Sequence, residues 1–105
     1  MAANALLALL LGAILHVERP RLSARFDPGF PADLLVIHNE GRALEAARLI
    51  LDDRFVHRVD ALSPGTRTFE LRRLFVDPDG EPPAPDYVPR RLRIVQPRRE
   101  VILEV

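Results

Sequence analysis

The chain has 105 residues, a formal net charge of zero, no Cys and no Trp. Its fifteen basic residues are all Arg and are balanced by fifteen Asp and Glu. Zero net charge argues against a nucleic-acid binder held by counterion release, and the missing Cys removes disulfides, thiolate metal sites and thiol nucleophiles together. Stability must come from packing or from a partner.

Met1–Val17 (MAANALLALLLGAILHV) is an uncharged run ending at Glu18, Arg19, Pro20 and Arg21. As a helix it would measure roughly 25 Å, a little short of the roughly 30 Å hydrocarbon core of a bilayer. A secretory signal would need a basic start and a small-residue cleavage site, yet no Lys or Arg precedes Arg19 and the run closes on Ile14, Leu15, His16 and Val17. A helix of a soluble core would show a polar face. The run therefore predicts a single-pass membrane anchor over residues 1–17. Arg19, Arg21 and Arg25 follow it, and the positive-inside rule then places the remainder in the cytoplasm. Ala5, Ala8 and Gly12 are small enough for close approach of a neighbouring helix or lipid. His16 is an interface marker, with pigment or haem ligation as the sharper alternative.

Pro20–Pro31 (PRLSARFDPGFP) carries Pro at both ends and an internal Pro-Gly pair, which is turn chemistry. Residues 18–32 are expected to be a linker. From Asp33 onward come short runs bounded by turn signals: DLLVIH, RLIL, FVHRV, TRTFEL, RLRIVQ and EVILEV. Many short runs of this kind predict an antiparallel β-sandwich over residues 33–105. In RLRIV, Leu92 and Ile94 point one way and Arg91, Arg93 and Val95 the other. Phe69 and Leu71 share a face of TRTFEL. Asp52-Asp53 is expected to be a tight hairpin turn, because Asp tolerates left-handed backbone. Gly41–Leu51 is ambiguous: Leu44, Ala47, Arg48 and Leu51 recur at helical spacing, but the turn and the run FVHRV that follow favour a strand over Ala46–Leu51.

Four segments together, Leu35–Gly41 (LVIHNEG), Leu49–Val59 (LILDDRFVHRV), Leu62–Gly80 (LSPGTRTFELRRLFVDPDG) and Tyr87–Val95 (YVPRRLRIV), resemble the small immunoglobulin-like or fibronectin-like modules of bacterial membrane-associated proteins. The resemblance rests on turn chemistry and alternation over about two-thirds of the chain. It departs in the absence of the Trp often found in the first hairpin, so Phe55, Phe69 and Phe75 are expected to fill the core. It implies a binding or structural module and transfers no catalytic residue.

Few residues suggest chemistry. His38 and His57 sit on two predicted strands and could form half a metal site if they were neighbours, against the commoner reading of separate strand histidines. Asp77, Asp79 and Glu81 around Gly80 are spaced like part of a calcium loop, but Pro78, Pro82 and Pro83 fit a plain turn better. No nucleophile triad, phosphate loop or paired carboxylate stands out, so no enzyme and no cofactor are expected. Arg90, Arg91, Arg93, Arg98 and Arg99 cluster late in the chain, where they could meet lipid headgroups or acidic patches of a partner; a solvated strand edge would carry the same residues. The sequence thus leads to an anchored, non-catalytic accessory subunit of a larger bacterial membrane complex, such as a photosynthetic or respiratory one, docking by helix and sandwich. The alternative is a free-standing anchored module that binds lipid or protein through its Arg-rich face.

Overall fold

The computed structural model describes residues 21–105. The run 1–17, with Ala5, Ala8, Gly12 and His16, and Arg19 beyond it, lies outside the described residues. Seven strands and one helical turn follow in chain order: β1 (Leu22–Asp27), β2 (Leu34–Asn39), β3 (Leu44–Leu51), β4 (Phe55–Leu62), β5 (Gly65–Glu70), α1 (Leu71–Leu74), β6 (Arg91–Gln96) and β7 (Arg99–Glu104). All pairings are antiparallel, in a three-stranded sheet β1-β2-β5 and a four-stranded sheet β4-β3-β6-β7.

The expectation of a transmembrane helix ahead of the sandwich, with a single-pass membrane location, is corrected here. A span needs about 20 apolar residues, and α1 has four. No helix among the described residues is long and apolar enough to cross a membrane; their apolar residues are dispersed into strands of six to eight. A second correction concerns the expected linker. Leu22–Asp27 is a strand in full register with β2, from Leu22 opposite Asn39 to Asp27 opposite Leu34. Leu22, Ala24 and Phe26 alternate with exposed Ser23, Arg25 and Asp27, the period-two pattern of a strand covering a core on one face.

One core lies between the sheets. Leu35 and Ile37 of β2, Leu49 and Leu51 of β3, Phe69 of β5, and Leu92 and Ile94 of β6 are all buried, together with Phe75 beyond α1. The alternation read in RLRIV is therefore the observed one, whereas in TRTFEL Phe69 is inward but β5 ends at Glu70 and Leu71 is buried as the first residue of α1; Phe55, Phe69 and Phe75 all belong to the core. Asn39 is the one buried polar side chain among the described residues. Its amide donates to the carbonyls of Arg42 (2.9 Å) and Leu62 (3.0 Å), and its oxygen accepts from Gly41 N (2.9 Å), so the crossover from β2 to β3 is tied to the end of β4.

β3 is a strand, and its helix-like spacing has a local cause. Ala46 has φ 50°, so the backbone turns over there; Leu44 and Ala47 both point inward with Glu45 and Ala46 both outward. Past this reset Ala47, Leu49 and Leu51 alternate normally. Asp52 and Asp53, with φ 50° and 57°, occupy the two centres of a left-handed turn closed by Arg54 N to Leu51 O at 3.0 Å.

Candidate interaction surface

The four-stranded sheet turns one face to the core and leaves the other uncovered among the described residues. Strand register fixes the layout of that outer face. One row runs across the sheet as Val76, Val56, Ile50, Arg93 and Ile102, each opposite the next. The neighbouring row is Arg58, Arg48, Val95 and Glu100. Ile102 is 58% and Val76 41% exposed, and Ile50, Val56 and Val95 are half-buried. The face thus mixes aliphatic and charged positions over four strands.

Its charges are not equivalent. Arg93 is clamped: Nη1 donates to Asp53 Oδ1 at 2.8 Å and Nε to Glu100 Oε1 at 2.5 Å. These bonds, that to Asp53 foremost, raise its pKa further above the guanidinium range. Arg48 and Arg58 stand directly opposite each other. Val56 N donates to Val76 O at 2.8 Å, away from β3; since bonded pairs alternate along an antiparallel ladder, Ile50/Val56 and Arg48/Arg58 are both non-hydrogen-bonded pairs, the type that brings side chains closest. Neither guanidinium has an ion-pair or hydrogen-bond partner among the described residues. Asp60, two residues along β4, forms no ion pair with Arg58. Two like charges apposed in this way destabilise the sheet unless an anion is shared between them.

The arginines expected to form one patch are divided. Arg91 and Arg93 lie on the outer face; Arg90 precedes β6, its N–H held by Asp52; Arg98 is in the β6–β7 turn and Arg99 opens β7, at the other end of the sheet. Arg25 is on the other sheet and reaches Asp27 at 3.8 Å, while the Arg21 carbonyl accepts from Glu40 N at 2.8 Å. The residues that do converge, Arg48 and Arg58, follow from the hairpin: once the Asp52-Asp53 turn sets Leu51 opposite Phe55, Arg48 must face Arg58.

The candidate metal residues do not assemble. His38 is on the outer face of the three-stranded sheet, bonded through Nδ1 to Thr66 Oγ1 at 2.8 Å, whereas His57 is in the other sheet with its ring 5.9 Å from Phe69 and 5.6 Å from Phe75. Burial lowers the His57 pKa, against an opposing hydrogen bond from the imidazole to the Leu74 backbone. Asp77 is consumed by its own turn: Oδ1 accepts from the N–H groups of Asp79 and Glu81, both at 2.9 Å. The bond from Glu81 is the main cause of its lowered pKa. Among the described residues no group of three or more His, Asp or Glu is placed to hold a metal.

An open cleft of about 1200 Å³ lies at the loop end of the sandwich, walled by Asp52, Arg54, Phe55, Asp77, Tyr87 and Arg90. Its polar groups hold the loops together. Asp52 accepts from Tyr87 OH (2.6 Å), Arg91 N (2.9 Å) and Arg90 N (3.1 Å). Arg54 lies over Phe55 and reaches Asp77 at 3.5 Å. Burial, then the Asp52 carboxylate, pushes the Tyr87 phenol above its usual range, so it stays a donor.

No protein family, no characterised protein and no solved structure matches this chain.

Proposed function

We propose that this chain is a non-catalytic docking module, an accessory subunit of a larger assembly, which lays the outer face of its four-stranded sheet against an acidic patch of a partner protein. The observation that carries this reading is the Arg48/Arg58 pair, two apposed guanidiniums without a partner among the described residues, between half-buried aliphatic positions. A carboxylate set between them would accept from both and cancel the like-charge contact, while Ile50, Val56 and Val95 supply apolar area around it. The resemblance to immunoglobulin-like and fibronectin-like binding modules supports the same class of function. So does the engagement of Asp52 and Asp77 in the turns that hold their loops.

The test is capture of tagged full-length protein in mild detergent, with the stoichiometry of co-eluting chains measured for wild type, for Arg48→Glu/Arg58→Glu and for Ser23→Glu on the opposite sheet. A chain held at fixed ratio by wild type and Ser23→Glu, released by the double reversal and by salt, is the expected outcome. Capture unaffected by the reversal overturns the reading; binding of the wild type to anionic vesicles in place of any protein gives the face to lipid instead.

A further inference from the structure

The four edges of the two sheets are not equally protected. β4 is capped by Val76, which exchanges two backbone bonds with Val56, and by Arg67, whose Nη1 donates to Ala61 O at 2.9 Å. β5 presents Thr66, Thr68 and Glu70 beside its chain turn into α1. On the other side of the sandwich β1 and β7 are edge strands whose inward residues, Leu22, Ala24, Phe26, Val101 and Leu103, are only half-buried. Those of the central strands are fully buried. The apolar layer is thus incompletely covered along this side.

The β7 edge is ordered for pairing. Val105 N donates to Arg90 O at 3.0 Å; with bonded pairs alternating, Leu92/Leu103 and Ile94/Val101 are the bonded pairs of the β6–β7 ladder. Glu100, Ile102 and Glu104 therefore direct their N–H and C=O groups away from β6, and no strand among the described residues pairs with them.

We propose that two copies of this chain associate by pairing β7 with β7 antiparallel, edge to edge, into one eight-stranded sheet about a two-fold axis. Parity and charge choose the register. For the apolar faces of both copies to lie on one side, each inward residue must oppose an inward residue. Setting Ile102 opposite Ile102 of the partner subunit brings Glu100 against Glu104 of the partner subunit, a like-charge contact. Shifting by two residues sets Glu100 opposite Ile102 of the partner subunit and brings Arg98, in the turn just ahead of β7, beside Glu104 of the partner subunit, twice by symmetry. Arg98 forms no ion pair among the described residues of its own chain, and Glu104, though opposite Arg91 in the β6–β7 ladder, forms none within 4.0 Å; this register brings the two together. It also places Val101 against Val101 of the partner subunit, lengthening the apolar layer. The surface is distinct from the Arg48/Arg58 pair, so the pairing does not depend on the proposed docking.

The test is the mass of the full chain in mild detergent, by sedimentation or light scattering, from about 1 μM to about 1 mM, a range suited to a short edge contact. Ile102→Pro removes an N–H that the β6–β7 ladder does not use and is expected to abolish the dimer. Arg98→Glu and Glu104→Arg are each expected to weaken it about tenfold, and the double swap to restore it, because the ion pair is rebuilt with its ends exchanged. A monomer at every concentration overturns the proposal, as does association that Ile102→Pro and the single reversals leave unchanged. The charge swap decides even if the proline variant fails to fold.

Discussion

Replacing Asp52 with alanine removes a side chain that joins the β3–β4 turn to the loop entering β6. Three donors lose their acceptor: Tyr87 OH at 2.6 Å, Arg91 N at 2.9 Å and Arg90 N at 3.1 Å. At about 1 kcal/mol net per bond the loss is about 3 kcal/mol; the conformational strain of a Cβ at φ 50° is common to Asp and Ala and adds nothing to it. Asp52→Gly should recover the conformational part alone, and Tyr87→Phe should cost only about 1 kcal/mol. In a domain of this size 3 kcal/mol corresponds to roughly 12–24 °C in Tm. Urea titrations of wild type, Asp52→Ala, Asp52→Gly and Tyr87→Phe, read by far-UV circular dichroism, give the differences directly. An Asp52→Ala loss no larger than that of Tyr87→Phe would refute the argument, since the two backbone bonds would then contribute nothing.

Ala46→Gly is expected to leave stability unchanged or raise it by up to about 1 kcal/mol, and Ala46→Val to lower it, because only glycine accepts φ 50° without strain; thermal melts decide. Phe75→Ala, which empties a fully buried position, should cost about 3–5 kcal/mol in urea, whereas Phe30→Ala, at a side chain 99% exposed, should stay within about 0.5 kcal/mol. His57 links stability to pH. Its folded pKa is lowered, chiefly by burial, so between that lowered value and about 6.5 the unfolded chain binds more protons. The contribution is fully present above about pH 6.5 and is lost as pH falls below it; denaturation midpoints from pH 8 to pH 5 should show this slope, and His57→Phe should flatten it.

Much of the sandwich was legible because its strands obey period two. Leu92 and Ile94 announced an inward face, and Asp52-Asp53 announced a turn through the tolerance of Asp for left-handed backbone. Two elements were harder to read for definite reasons. In β3 the reset at Ala46 places Leu44 and Ala47 three residues apart on one face, the spacing a helix would show, so local periodicity imitated the wrong element. In β1 the flanking Pro20, Pro28 and Pro31 suggested a linker, while the weak alternation of Leu22, Ala24 and Phe26 reflects an edge strand with a half-buried inner face. The docking face was legible only through pairing. Arg48 and Arg58 are ten positions apart and unremarkable singly; the turn between them makes them neighbours. The late run of arginines drew attention by density, yet the β6–β7 hairpin separates its members and Arg93 is neutralised by Asp53 and Glu100.

The two proposed surfaces bear on each other in a way that can be measured. Pairing through β7 would set two outer faces side by side in one sheet, each with its own Arg48/Arg58 pair, so that a partner with two acidic patches would meet both at once. Two sites joined rigidly bind the second patch at a high effective concentration and exceed the affinity of one site without any new contact. Ile102→Pro should then weaken capture of a bivalent partner while Arg48→Glu leaves dimer mass unchanged, an asymmetry that follows from the edge and the face being separate parts of β7 and the β3–β4 hairpin. Equal loss of dimer and of capture in both variants would mean that the sheet had been damaged as a whole, and that neither surface acts independently.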